Sequence, residues 1–134
     1  MKARAQKLKV LVVDDEASVL MTYRLILEQQ GYDVAAAATS REAIDAVKEN
    51  DFDLILCDFS LEQQHSGFEV IDAARRKDPN VPCVLLTGYA TLETADQAKQ
   101  NGIEVLYKPI DIAEFLHTTS RLTRLKHESN QEER

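Results

Sequence analysis

Short apolar runs of strand length alternate along this chain with stretches of helical period, and this alternation limits the folds open to it. The first, third and fourth runs are almost continuous in Val, Leu, Ile and Cys, which is typical of strands covered on both faces of a parallel sheet. The predicted strands are Leu8–Val13, Asp33–Ala37, Leu54–Cys57, Cys83–Leu86 and Ile103–Tyr107. Because parallel strands need helical crossovers, five strands alternating with five helices predict a doubly wound α/β fold.

The predicted helices carry recognisable end signals. Gly31 is placed to end the first helix, whose inner face holds Leu20, Tyr23 and Leu27. Three later helices begin with capping-box spacing: Thr39 with Glu42, Ser66 with Glu69, and Asp111 with Glu114.

The last two helices differ in their apolar content. The fourth helix, about Thr91–Gln100, has Leu92 as its one large apolar residue, and we expect Leu92 and alanines to form its inner face. Few buried contacts would make this helix a mobile element. The last helix has one stripe: Ile112, Phe115, Leu116, Thr119 and Leu122.

Length and charge narrow the class of protein. The 134 residues suffice for one domain, which we place at residues 1–126, with residues 127–134 as a frayed helix end, a disordered tail or the beginning of a linker. The net charge of −7 argues against direct nucleic-acid binding. No apolar stretch approaches the roughly 20 residues that span a bilayer, and no secretory signal pattern follows the basic N-terminus. We expect a cytoplasmic protein in which Cys57 and Cys83 are buried thiols.

Polar side chains follow four of the predicted strands at their carboxyl ends. Asp14 and Asp15 follow the first strand, Asp58 the third, Thr87 the fourth and Lys108 the fifth. In open α/β sheets the functional crevice lies at this edge, so we expect these groups to converge.

Three ionised carboxylates brought together repel one another, so either a cation neutralises them or the pKa of one carboxyl group is raised. Mg²⁺ suits such oxygen ligands and keeps room for water and phosphate oxygens. Lys108 and the Thr87 hydroxyl would then face a second anion above Asp58. The pattern indicates a phosphoryl site, with Asp58 as the central nucleophile because aspartate can form an acyl phosphate.

Four segments, "VLVVDDE", "DLILCDFSL", "VLLTGYAT" and "YKP", together resemble a response-regulator receiver domain of two-component signalling. The resemblance covers Lys7 to about Leu125 and implies a flavodoxin-like sheet of order 2-1-3-4-5. It implies that Asp58 accepts a phosphoryl group from a phosphohistidine. It also implies that Asp15, Asp58 and the backbone carbonyl of Ser60 bind Mg²⁺, with Asp14 acting largely through water.

The resemblance extends to signalling. Lys108 would pair with the phosphate, and Thr87 would carry the signal to a face made by the fourth helix, fifth strand and fifth helix. The implied partners are a sensor histidine kinase or histidine phosphotransfer protein, and a downstream effector protein or an output domain outside these residues. A phosphorylation-dependent homodimer through the same face is compatible with this scheme. The domain would assist its own phosphorylation and dephosphorylation without being an enzyme.

The chain departs from the family pattern in two places. Val105 stands where the family usually has an aromatic residue. Either Tyr107 or Tyr89 takes over part of the switching role of that residue, or both tyrosines are packing residues with no role in switching. Glu62 stands four residues after Asp58, where the family usually has proline. The family usually has glycine eight residues after the acceptor aspartate, whereas here Gly67 lies one residue further along. The segment Glu62–Ser66 therefore predicts a longer loop beside the metal and an altered acyl-phosphate lifetime.

Two alternatives remain open. A metal-dependent phosphatase would use the same Asp58 and Mg²⁺, although Ser60 stands where its general acid would be. A degenerate receiver would bind partners without phosphorylation. Neither the histidines nor the basic residues of the last helix are expected to form a site: His65, His117, His127, Arg121, Arg124 and Lys126.

Overall fold

A single five-stranded sheet organises the chain in the computed structural model, which describes residues 7–88 and 91–132. All strand pairs are parallel and the order is β2-β1-β3-β4-β5, which confirms the predicted topology. The strands are β1 (Lys9–Val13), β2 (Asp33–Ala37), β3 (Leu54–Asp58), β4 (Cys83–Thr87) and β5 (Glu104–Tyr107). The helices are α1 (Ala17–Gln29), α2 (Ser40–Glu49), α3 (Gly67–Lys77), α4 (Leu92–Gln100) and α5 (Ile112–Glu132).

Two apolar cores lie on opposite faces of the sheet, as expected for central strands that are buried on both sides. One core contains Leu11, Ile55 and Leu85 and is covered by α2, α3 and α4. The other contains Val12 and Leu56 among others and is covered by α1 and α5. Strand residues alternate between these cores, so both faces of β1, β3 and β4 hold the crossover helices in place.

The predicted helix ends form as hydrogen-bonded caps. Gly31 has a φ of +94°, the left-handed conformation that favours glycine after a helix. Each capping motif makes a hydrogen bond: the Glu42 N–H to the Thr39 hydroxyl, the Ser66 N–H to the Glu69 carboxylate, and the Glu114 N–H to the Asp111 carboxylate.

The inner faces of the last two helices differ from the sequence prediction. Leu92 is 86% exposed, and Ala98 is the buried residue of α4, so the prediction that Leu92 faces inward is wrong. Ile112 is also exposed, whereas Phe115 and Thr119 of the same stripe are buried. A helix held by one buried alanine has little apolar area to anchor it, which agrees with a weakly held α4.

The last helix continues beyond the predicted domain boundary at residue 126. It extends to Glu132, so residues 127–132, for which the sequence allowed a helix end, a disordered tail or a linker, are helical. Among the described residues, no helix combines the length and apolar character needed to cross a membrane.

Candidate functional site

The acidic cluster forms where β1 and β3 end side by side. Asp14 and Asp15 follow Val13, which pairs with Cys57 immediately before Asp58. One carboxylate oxygen from each aspartate lies within 4.8 Å of the others. Asp14 and Asp58 are buried, while Asp15 is exposed. The strand ends therefore bring the three carboxylates of the predicted metal site into one group that is open to solvent at Asp15.

Lys108 crosses from the far edge of the sheet to this cluster. Its Nζ atom lies 3.1 Å from Asp14 Oδ2 and 3.4 Å from Asp58 Oδ2, so one ammonium contacts both buried carboxylates. Its backbone N–H donates to the Thr87 carbonyl at 2.7 Å, which fixes the residue beside the end of β4. Lys108 thus forms two ion pairs with groups 94 and 50 residues away.

The charges of the cluster perturb one another. Burial raises the pKa of Asp58 to about 6, and the neighbouring Asp14 carboxylate adds to the shift, while Lys108 opposes it. Burial acts to lower the pKa of Lys108, but its hydrogen bond to Asp14 and the charges of Asp58 and Asp14 raise it overall. One lysine thus offsets only part of the negative charge, and an added cation would be attracted to the site.

The other two predicted site residues lie at the edges of the cluster. Thr87 is the last residue of β4, is buried, and is adjacent to β3 because the Phe59 N–H donates to the Leu86 carbonyl. The Ser60 backbone N–H lies 3.4 Å from Asp58 Oδ1. The structure therefore brings all six predicted site residues to one edge of the sheet, while the ligand role of the Ser60 carbonyl stays a prediction.

Gly67 also belongs to the site, through close packing. A Cβ at this position would lie 2.7 Å from the backbone oxygen of Asp58 and 2.8 Å from a methyl group of Leu85. No side chain fits there, because real Cβ atoms essentially never approach so closely. The glycine that comes one residue late in the family pattern thus lets α3 begin directly against the acceptor strand.

Two contacts near the site were not predicted from sequence. Tyr23 is buried, stacks on Phe115 with ring centroids 5.1 Å apart, and has a pKa raised by burial while Lys108 lowers it. Glu62 accepts hydrogen bonds from the backbone N–H and hydroxyl of Ser40, both at 2.9 Å. The replacement of the usual proline by Glu62 was the only sequence signal for this second contact.

Of the three positions in the switching hypothesis, the structure describes Val105 and Tyr107, and these two differ in their surroundings. Val105 packs against the core that α2, α3 and α4 cover. Tyr107 is 53% exposed and belongs to neither core, so it is not a packing residue of the interior. Tyr89 lies outside the described residues.

Among the described residues, neither the histidines nor the basic residues of α5 belong to the acidic cluster. His65 contacts Glu69 at 3.1 Å, and His117 is exposed on α5. Arg121 donates to both carboxylate oxygens of Glu104 at 2.7 Å, which joins α5 to β5. Lys126 pairs with Asp78, Arg124 is exposed, and the side chain of His127 lies outside the described residues.

A doubly wound sheet with paired aspartates after β1, an aspartate at the end of β3 and a lysine after β5 is the arrangement of a receiver-type signalling domain. Residues 10–120 match the family model of the response regulator receiver domain, and the chain belongs to this family. Receiver domains of this family act in two-component signalling, where they interact with histidine kinases and output domains.

Known proteins agree with this assignment. The chain is 35% identical over 103 residues to the transcriptional regulatory protein ZraR of Escherichia coli K12, covering 76% of this chain and 23% of ZraR. It is 32% identical over 124 residues to the luminescence regulatory protein LuxO of Vibrio campbellii, covering 89% of this chain and 27% of LuxO. The chain thus spans about a quarter of the length of these relatives.

A solved structure shows the same fold. A CheY-like receiver domain protein from Methanospirillum hungatei matches with a TM-score of 0.86 and 27% identity, over 92% of this chain and 99% of that one. The similarity therefore includes nearly all of that receiver domain.

Proposed function

We propose that this receiver domain accepts a phosphoryl group on Asp58 from a phosphohistidine, in a reaction that depends on Mg²⁺. The observation that carries the proposal is the contact of Lys108 with both Asp14 and Asp58 at the edge of a three-carboxylate cluster. Such an arrangement offers an aspartate nucleophile beside a fixed positive charge, which is what formation of an acyl phosphate requires.

The donor set suits Mg²⁺. Three carboxylates supply hard oxygen ligands within 4.8 Å of one another, and the ion typically uses one or two of them with water and phosphate oxygens. Asp15, Asp58 and the Ser60 carbonyl would hold the ion, and Asp14 would act through water. When bound, Mg²⁺ would neutralise negative charge on the carboxylates and the transferring phosphoryl group.

In the proposed transfer, a carboxylate oxygen of Asp58 forms a bond to phosphorus while the bond from phosphorus to the histidine nitrogen breaks. The nitrogen keeps the electron pair, and the product is an acyl phosphate on Asp58 and a free imidazole on the donor. Lys108 would leave the bare carboxylates and pair with the new phosphate, because that group carries more negative charge than Asp58 alone. Thr87, buried at the end of β4, would then respond to the phosphate and transmit the change toward α4, β5 and α5.

The partners follow from this chemistry. A sensor histidine kinase or histidine phosphotransfer protein would supply the phosphoryl group. A downstream effector, an output domain or a second phosphorylated copy would bind the switched face.

The domain would consume one phosphoryl group per site and promote its own phosphorylation and dephosphorylation, so it would not act as an enzyme on other substrates. We place it in the cytoplasm, where such kinases deliver phosphate and where the buried thiols of Cys57 and Cys83 stay reduced.

Intact-protein mass spectrometry after incubation with Mg²⁺ and a small phosphodonor tests the proposal. We expect one added phosphoryl group in the wild type and in Asp45→Asn, an exposed carboxylate control on α2. We expect none in Asp58→Asn and none without Mg²⁺. A folded wild type that gains no phosphate would indicate a degenerate receiver, and multiple turnover on a separate phosphorylated substrate would indicate a phosphatase.

A further inference from the structure

The segment between β3 and α3 is a small hairpin rather than an open loop. Ser60 and Ser66 form an antiparallel bridge, and the Leu61 N–H donates to the His65 carbonyl at 2.9 Å. The turn at the tip places Gln63 and Gln64 at φ values of 53° and 68°. Both residues are exposed and non-glycine, so this left-handed conformation needs contacts elsewhere in the hairpin to hold it.

Glu62 supplies such a contact by joining the hairpin to the first turn of α2. One carboxylate oxygen accepts from the Ser40 backbone N–H and the other from the Ser40 hydroxyl, each at 2.9 Å. The first backbone N–H groups of a helix have no partner within it, and a carboxylate there is favoured by the helix dipole.

The hairpin connects this contact to the acidic cluster through two residues. Leu61, next to Glu62, is buried in the core that α2, α3 and α4 cover. Ser60, the next residue toward the site, is held on one side by the bridge to Ser66 and on the other by its N–H near Asp58 Oδ1. A displacement of the hairpin tip would therefore move the Ser60 backbone, because only one residue separates it from Glu62.

We propose that the Glu62–Ser40 contact fixes the β3–α3 hairpin so that the Ser60 carbonyl is set at the metal site, which makes Glu62 and Ser40 positioning residues for Mg²⁺. This inference rests on the proposed function, since it assumes that the cluster binds Mg²⁺. Proline, which is usual at this position in the family, would stiffen the backbone of the hairpin. In this chain, Glu62 would hold the hairpin in place instead, through its contact with Ser40. Groups that orient metal ligands without touching the metal commonly change metal affinity when they are removed.

Calorimetric titration of the unphosphorylated protein with Mg²⁺ tests the inference without any activity measurement. We expect Glu62→Ala, which removes both hydrogen bonds, to raise the Mg²⁺ dissociation constant about 10-fold, as found for residues that support metal ligands. Ser40→Ala loses the hydroxyl bond but keeps the backbone N–H bond to Glu62, so we expect it to raise the dissociation constant by a smaller factor. The double variant should bind Mg²⁺ no more weakly than Glu62→Ala alone, because Glu62→Ala has already removed both hydrogen bonds. Glu62→Gln, which keeps one acceptor oxygen, should fall between wild type and Glu62→Ala.

The matched control is Glu42→Gln, an exposed glutamate in the same first turn of α2 that changes the net charge equally. Hydrogen exchange in metal-free protein should show faster exchange at the Leu61 and His65 amides in Glu62→Ala and Ser40→Ala, with chemical denaturation confirming that both variants fold. Unchanged Mg²⁺ affinity in both variants, beside a wild type that binds Mg²⁺ and accepts phosphate, would overturn this inference alone. A wild type that binds no Mg²⁺ would overturn the proposed function and this inference together.

Discussion

The ammonium of Lys108 lies 3.1 Å from Asp14 Oδ2, across 94 residues of sequence, and 3.4 Å from Asp58 Oδ2. The lysine that is expected to pair with phosphate thus already serves as a counter-ion within the cluster. Phosphorylation and metal binding would both change its partners. The electrostatics of this contact lead to the first two predictions.

Lys108→Ala is expected to raise the pKa of Asp58 above its value of about 6 in metal-free protein. Lys108 lowers that pKa through its charge and its hydrogen bond, so its loss leaves burial and the Asp14 charge unopposed. Carboxyl-carbon NMR titration of Asp58 measures the effect. Lys48→Ala, which removes an equal charge from an exposed site on α2, should leave the titration unchanged. An unaltered pKa in Lys108→Ala would show that the contact has no electrostatic effect.

Asp58→Asn is expected to stabilise the metal-free protein above pH 6. The folded state holds the Asp58 proton up to a pKa of about 6, against an ordinary value of 3.8, so folding stability falls as the pH rises between these values and stays low above them. Removing the carboxylate should raise the free energy of unfolding by about 3 kcal/mol at pH 8 and by much less below pH 4. Urea denaturation in a chelator at both pH values measures the difference. A gain that is equal at both pH values would contradict a titration origin.

Gly67→Ala is expected to destabilise the fold by about 1–3 kcal/mol, the usual range for overpacking a well-packed interior. The new methyl group would lie 2.7 Å from the backbone oxygen of Asp58, which cannot move without shifting the acceptor strand. Thermal or urea denaturation gives the value. Gly88→Ala is the matched control, because a Cβ at Gly88 meets nothing within 4 Å. Equal stability of the two variants would show that the end of β3 can shift to accommodate the methyl group at little energetic cost.

Tyr107→Ala is expected to leave the free energy of unfolding within about 0.5 kcal/mol of wild type, since the ring is 53% exposed and outside both cores. If Tyr107 takes over part of the switching role left open by Val105, the same variant should reduce the changes in α4 amide chemical shifts on phosphorylation. Leu125→Ala, a similarly exposed residue on α5, is the control for both measurements. If phosphorylation changes the α4 amide chemical shifts of Tyr107→Ala as much as those of the wild type, Tyr107 has no part in the switch.

Much of the site follows from local sequence. Asp14, Asp58 and Thr87 lie at strand ends that are recognisable from apolar runs, and the edge of a parallel sheet brings strand ends together whatever the details of packing. The direction of the α4 side chains was harder to predict. Its few apolar residues define no stripe, and Leu92 is exposed while Ala98 faces the core.

The sequence by itself determined the order of elements, the doubly wound fold and the set of polar groups at one sheet edge. Each of these depends on periodicity or on residues adjacent in the chain. The tertiary structure alone decided which groups touch: Lys108 with Asp14, and Glu62 with Ser40, 22 residues away. Side-chain contacts of this kind depend on distances between elements that no local pattern encodes, so they emerge only when the sheet and its helices have packed.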